Sequence, residues 1–248
     1  MNKFVVTILI LFSFITISAQ SMVSLDGGRF LMGSSTGAEN EQPKHTVILS
    51  PFSIDVHEVT NQEYQECVSK GGCSQAHYSD GKCYIWSSEG LKKTTPPSFF
   101  KENQRPVVCI SWQQATAYCR WKGKKLPTEA QWEYAATGGT KRYNISSVSH
   151  STARYQSGST APVEQFPAGY NQLYDMCGNA WEWTRDRYEE QYYHYSPTKN
   201  PQGPVVGRFR TIRGGGWYSS LKQLSSRNRH WFAPEVGEVS IGFRCVKE

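Results

Sequence analysis

Seven cysteines carry most of the redox chemistry open to this 248-residue chain: Cys67, Cys73, Cys83, Cys109, Cys119, Cys177 and Cys245. No C-x-x-C pair occurs among them, which argues against a structural zinc site and for disulfides. Seven is odd, so one thiol at least stays reduced or pairs with another chain. A second constellation lies near the end. Residues 213–245 read RGGGWYSSLKQLSSRNRHWFAPEVGEVSIGFRC, three glycines abutting a tryptophan, then arginines, a histidine and a cysteine. This pattern is open to three readings: a reaction site, a binding groove or a packed terminus. Ser219 with His230 would supply a hydroxyl nucleophile and a base. Chance Ser/His pairs are common, and nothing around this one has the form of a nucleophile elbow.

The elements that must hold these residues are partly legible. The chain begins with Lys3, an apolar run from Phe4 to Ile17, and then Ser18, Ala19 and Gln20 as a cleavage zone. This is the pattern of a secretory signal peptide over residues 1–20, cut near Ala19 or Gln20. The run is short of the roughly 20 residues that a membrane span needs. No cysteine stands at the cut, which argues against a lipid anchor, and no second run of spanning length follows. Export to the periplasm or the extracellular space would put the cysteines where disulfides persist. The net charge of +6 falls by one when Lys3 is removed, and the excess is spread along the chain. With no dense basic block and no matching motif, nucleic acid as a partner finds no support.

In the mature part, 21–248, SLDGGRFLMGS (24–34) predicts a short hairpin around its Gly-Gly turn. His45–Leu49 and Phe52–Val56 read as strands. Capping boxes at Thr60/Glu63, Ser111/Gln114 and Thr128/Gln131 announce three helices. The second would bury Ala115, Tyr118 and Cys119 on one face, with Trp121 beside them. The third, behind Pro127, would bury Trp132 and Ala135 or Ala136. Gly71 to Pro106 reads as a long loop that must be pinned, and disulfides are the pins expected. Beyond Gly138 helical periodicity ends, and short strands follow in a region rich in Gly, Pro, Tyr and Trp. Helices set among short strands and long loops predict an irregular, loop-rich α+β domain.

Six segments, in this order, carry a resemblance: GGRFLMGS, EVTNQEY, RPVVCISWQQATAYCRWKGKKLPTEAQWEYAATGG, LYDMCGNAWEWTRDRY, RTIRGGGWYSS and IGFRC. From about Val23 to Val246 the chain resembles the formylglycine-generating enzyme family, also called sulfatase-modifying factors. The resemblance implies a single domain of the C-type-lectin-like kind. For the true enzymes it implies oxidation of one cysteine in a Cys-x-Pro-x-Arg motif of an unfolded sulfatase to formylglycine. That reaction uses oxygen and a copper ion held by two cysteines, the soft ligands that Cu(I) prefers. The enzymes carry the first cysteine just after an RGGS turn and the second five residues later. The matching positions here are Ser219 and Leu224. No cysteine occurs between Cys177 and Cys245, so no small shift of alignment restores the pair. The expectation is a family member without copper and without the copper-dependent reaction. Some relatives are non-heme iron sulfoxide synthases, whose iron needs histidines clustered at helical spacing. His45, His57, His77, His150, His194 and His230 offer no such pair.

The same resemblance implies a calcium site. Its side-chain ligands carry over to Asp175 and Glu182, and its carbonyl ligands to Gly178 and Ala180, an all-oxygen set suited to that ion. The family's other calcium site needs an Asn and an Asp ahead of TAPV. Tyr155 and Ser157 stand in that stretch, so its loss is expected. Cys119 and Cys245 match the bridge that ties the second helix to the C-terminus. The family's other bridge would fall at Ala136 and Arg229, where both partners are missing together. Among the remaining cysteines Cys73–Cys83 and Cys67–Cys109 are the expected pairs, although four cysteines allow three pairings. Cys177 is left in the DMCGN turn as a small buried residue, with a reactive thiol as the alternative. Trp217, Arg227, Arg229, His230 and Trp231 are expected at the rim or floor of the cleft that holds peptide in the enzymes. The alternative is a core tryptophan and solvated arginines.

Three readings of function follow. The first is an exported, non-catalytic module that binds a peptide or protein. The second is an oxidoreductase of the same fold on non-standard ligands, with a metal site built from His230, Asp186 or Cys177. The third is a structural part of an envelope complex, with YEEQYYHY (188–195) as a contact surface.

Overall fold

The computed structural model describes residues 22–139 and 148–248. The expected signal peptide at 1–20 lies outside the described residues. The chain opens with strands β1 (Met22–Leu25), β2 (Gly28–Met32), β3 (His45–Leu49) and β4 (Phe52–Asp55). Helix α1 (Asn61–Ser69) follows, then strands β5 (Cys83–Ser87) and β6 (Gly90–Lys93), and helices α2 (Trp112–Trp121) and α3 (Glu129–Thr137). The remainder holds β7 (Trp181–Arg187), β8 (Arg210–Arg213), β9 (His230–Phe232), β10 (Gly237–Glu238), β11 (Ile241–Gly242) and β12 (Val246–Lys247). This is the expected α+β domain, with short strands, three helices and long connections.

Each helix begins where its capping box places it. Thr60, Ser111 and Thr128 each accept from the backbone N–H three residues on, and Glu63, Gln114 and Gln131 each answer to the cap's own N–H. Two of the orphan donors at each helix start are thereby satisfied. On α2 Ala115, Tyr118 and Cys119 are buried and Trp121 is partly buried, while α3 buries Trp132, Ala135 and Ala136.

The predicted hairpin at 24–34 does not form as a pair. β1 runs antiparallel to β4, and β2 runs antiparallel to β3. The Gly27–Gly28 turn instead hands the chain from one sheet to another. A Cβ on Gly27 would lie 2.4 Å from the Leu49 carbonyl oxygen, so this close crossing needs glycine. β12 adds to the other edge of β4, so β1 and β12 flank β4 in one sheet. The central sheet has the order β11-β7-β8-β9. One apolar cluster lies between α3 and strands β1–β4, and a second between α1, α2 and the central sheet.

The loop 71–106 contains its own hairpin, β5 with β6, and β10 pairs parallel to β5. Cys119–Cys245 forms as expected and spans 126 residues of sequence. It contributes about 4–5 kcal/mol on the chain-entropy estimate. The other two expected pairs are corrected: the bridges are Cys67–Cys73 and Cys83–Cys109. The reason is local. Gly71–Gly72 turns the chain straight back after α1, and the Gly72 N–H bonds the Cys67 carbonyl, which returns Cys73 to its neighbour. Cys83 faces Gly237 of β10, and the Cys109 N–H bonds the Glu238 carbonyl, so β10 gathers Cys83 and Cys109 from its two sides.

Candidate functional site

The segment Asp175–Glu182 enters β7 through a tight turn. Asp175, Gly178 and Asn179 all have positive φ, a conformation that Gly, Asn and Asp tolerate best. Asn179 is fully buried, and its amide is shared out. Oδ1 accepts from the Ala161 N–H at 2.8 Å, and Nδ2 donates to Glu58 Oε2 at 2.7 Å. The Ala180 N–H donates to Glu58 Oε1 at 2.8 Å. Glu182, on β7, takes a bidentate pair from Arg244, both bonds 2.8 Å, and a third bond from the Trp132 indole N–H. Of the three carboxyls Glu58, Asp175 and Glu182, Arg244 bonds only Glu182, and its charge also acts on Glu58 and Asp175. Burial, then Asp175 and Glu182, push the Glu58 carboxyl well above the usual range. Burial pushes Asp175 up to about 6.

This charge excess bears on the calcium expectation. Glu182 is already held by Arg244 and Trp132, yet carboxylate oxygens accept more than one bond. Carboxylate oxygen is a donor type that a hard cation such as calcium takes. Among the described residues no three His, Cys, Asp or Glu side chains converge as a ligand set.

The positions of the copper ligands lie beyond β8. Gly214 and Gly215 have positive φ and wind the chain back on itself. Ser219 is fully buried, and its hydroxyl accepts from the Gly216 N–H at 2.9 Å, closing the turn. Leu224 is fully buried in a small cluster with Val148, Ala153, Tyr155 and Cys177. Both positions are filled by interior packing. His230 Nδ1 engages its neighbour Trp231, accepting from that residue's N–H at 2.9 Å, so the Ser219/His230 couple is not assembled.

A cavity of about 390 Å³ opens on the central sheet, walled by Trp86, Trp181, Ile212, Tyr218, Gln223, His230, Trp231, Phe232 and Ile241. It is largely aromatic, as binding cavities commonly are. Trp181 and His230 rings pack 5.4 Å apart, and burial lowers the His230 pKa, favouring a neutral ring. Tyr218 carries its hydroxyl to Glu238 Oε1 at 3.2 Å. Glu238 also receives the Ser240 N–H and hydroxyl, and burial pushes its carboxyl up to about 7.

Of the five residues expected in a groove, His230 and Trp231 stand in this wall. The others do not. Arg229 is 2% exposed, and its guanidinium holds Glu129 with bonds of 2.8 and 3.1 Å. It is an interior ion-pair residue because α3 places an acid directly beneath it. Trp217 is buried against Phe100 and Tyr218, with its indole N–H on the Val239 carbonyl. Arg227 is half-buried and is not a wall residue. His230, Asp186 and Cys177, the alternative metal set, are also dispersed. Asp186 accepts the Glu129 N–H at the start of α3, and Cys177 lies in the Leu224 cluster. In YEEQYYHY, Tyr192 and Tyr193 are buried, while Glu190, Gln191, His194 and Tyr195 are exposed. Glu58, Glu238, Tyr218 and Trp86 were not foreseen from sequence. Glu58, Tyr218 and Trp86 take their places from partners far along the chain, while Glu238 also has a local partner in Ser240.

The model of the sulfatase-modifying factor enzyme 1-like domain matches residues 13–248. The serine/threonine-protein kinase pkn1 of Chlamydia caviae is 36% identical over 91% of this chain. The chain spans 38% of the length of that relative. The formylglycine-generating enzyme of Streptomyces coelicolor is 31% identical, over 93% of this chain and 90% of that protein. The inactive C-alpha-formylglycine-generating enzyme 2 of Mus musculus is 29% identical over 91% of this chain and 85% of that protein. Among solved structures, PvdO from Pseudomonas aeruginosa superimposes with a TM-score of 0.74 at 25% identity, covering 92% of this chain and 94% of that one.

Proposed function

Because the chain belongs to the sulfatase-modifying factor family but has Ser219 and Leu224 where the copper cysteines would stand, we propose that it is a non-catalytic, exported member that binds a peptide or protein segment. One observation carries this reading. The Ser219 hydroxyl is spent on the Gly216 N–H, and Leu224 is sealed in an apolar cluster, so neither position offers a ligand to Cu(I). The aromatic cavity beside them supports a retained binding role. Three disulfides suit an oxidising compartment, and no helix among the described residues is long and apolar enough to cross a membrane. The chain carries neither an H-R-D nor a D-F-G triplet, so phosphoryl transfer forms no part of the reading.

The test is to incubate the oxidised mature protein with Cu(I), oxygen and a Cys-x-Pro-x-Arg peptide. Mass spectrometry reads conversion, and fluorescence anisotropy reads binding. Binding without conversion is the expected result. Conversion would overturn the non-catalytic reading.

A calcium ion at Asp175, Gly178, Ala180 and Glu182 is part of the same proposal. It would offset the excess charge behind β7 and fix the turn into that strand. Thermal unfolding with and without a calcium chelator checks it.

A further inference from the structure

The peptide-binding reading leaves one feature of the central sheet unused. Arg187 of β7 and Arg210 of β8 are direct cross-strand partners. Like charges set opposite each other in an antiparallel pair are destabilising. Among the described residues neither guanidinium has a carboxylate within ion-pair distance. The arginine ion pairs belong to Arg105, Arg185, Arg213, Arg229 and Arg244. Arg187 donates to the Gly207 carbonyl, and Arg210 donates to the Arg185 carbonyl at 2.7 Å. A guanidinium has five donors, so most of their capacity is open. Arg210 is braced over the Trp112 ring at 3.7 Å. Asp186, which precedes Arg187, accepts the Glu129 N–H at the start of α3, and its pull on Arg210 is weaker than the push of Arg187. Burial and the neighbouring Arg187 both hold the Arg210 pKa below its usual value.

The pair sits beside the cavity. Ile212, a cavity wall, is two residues from Arg210 on the same strand, so the two share a face about 7 Å apart. An extended peptide has the same spacing between residues i and i+2. Arg208, stacked on Phe209, which in turn stacks on the cavity's Trp231, adds to the positive charge on this side.

We propose that Arg187 and Arg210 take the carboxylate of an acidic residue in the bound peptide, two positions from an aromatic or apolar side chain seated in the cavity. This rests on the peptide-binding reading. Paired guanidinium–carboxylate bonds are strong and directional, and the anion would relieve a repulsion that the unliganded sheet bears.

Two labelled peptides test it, Gly-Ser-Trp-Gly-Glu-Gly-Ser and its counterpart with Gln for Glu. Anisotropy is measured on the wild type, Arg187→Gln, Arg210→Gln and Trp181→Ala. The Glu peptide should bind the wild type at least about tenfold tighter than the Gln peptide, a gain that high salt reduces. Arg187→Gln should bring the Glu peptide down to the Gln level while the thermal midpoint holds or rises, because the opposed charge is gone. A loss of affinity matched by a fall in midpoint would make Arg187 structural and overturn the inference. Equal affinity of both peptides for the wild type, abolished by Trp181→Ala, would overturn it but leave the groove standing. Binding of neither peptide would remove both.

Discussion

Two buried clusters of carboxylates and guanidiniums flank β7, and they differ in charge balance. Beneath α3, Glu129 and Glu133 face Arg213 and Arg229, two against two. Arg213 reaches Glu129 at 2.7 Å and Glu133 at 2.6 Å, and all four side chains are buried. Behind the Asp175–Glu182 turn, Glu58, Asp175 and Glu182 face Arg244, and His57 acts on Asp175 as well. The difference shows in the protons. Burial pushes Glu129 up, but Arg229 and Arg213 outweigh it and hold its carboxyl below the usual range. No such surplus of cations acts on Glu58 and Asp175, which are pushed up. The balanced cluster is a strut that links α3 to β8 and to the segment before β9. The unbalanced one carries a standing demand for a proton or a cation, and that separates a structural network from a candidate site.

The largest effect should come from breaking the balanced cluster. Arg213→Met leaves Glu129 and Glu133 buried with one guanidinium fewer and should cost about 3–5 kcal/mol in urea unfolding. A cost below about 1 kcal/mol would mean that the network is not a strut.

The pH dependence of stability sharpens the contrast. Asp175 at about 6, and Asp186 and Glu238 at about 7, hold protons in the folded state that the unfolded chain releases near pH 4. Their contribution is full below the unfolded values and is lost as pH rises through 6 and 7. Glu129 acts in the opposite sense: its contribution is present above the unfolded value and lost as pH falls through its lowered folded one. Chelator-treated protein should therefore be most stable at about pH 4–5, with stability falling by several kcal/mol as pH rises to 8. A curve still rising from pH 5 to 8 would contradict this.

Calcium should reverse much of that loss, by about 2.7 kcal/mol at a hundred times its dissociation constant, and more at pH 8 than at pH 5. Asp175→Asn should abolish the response. Without calcium at pH 8 the same substitution should be neutral or stabilising by up to about 1 kcal/mol, since it removes an unmatched charge. The smallest test is Thr128→Ala. It deletes the cap of the helix that presents Glu129 and Glu133, and calorimetry should show a loss of about 1 kcal/mol.

Local signals were legible wherever neighbours in sequence are neighbours in space. The three capping boxes satisfy their own helix starts, so they hold whatever packs around them. The strand His45–Leu49 emerged with the boundaries its alternation suggests. The hairpin at 24–34 failed because its turn was right and its partners were not, and those partners are chosen by the rest of the fold. Of the cysteine pairs, Cys67–Cys73 is set by the local turn at Gly71–Gly72, a signal present in the sequence but not used, while Cys83–Cys109 was missed for a related reason. β10, more than a hundred residues downstream, collects Cys83 and Cys109. Arg229 was misplaced because an arginine in a run of arginines carries no local mark of the acid it meets.

By itself the sequence determined the helix starts, the family its motifs resemble and the lack of cysteine at 219 and 224, and that resemblance in turn implied the Cys119–Cys245 bridge. Each depends on residue identity at a position or on spacing within a few residues. Tertiary structure decided which charges are matched. Glu58 meets Asn179 from the far half of the chain, Arg213 meets two acids of α3, and Arg187 stands opposite another arginine. Coulomb energy depends on distance in space and on burial, and neither is a property of a residue's place in the sequence.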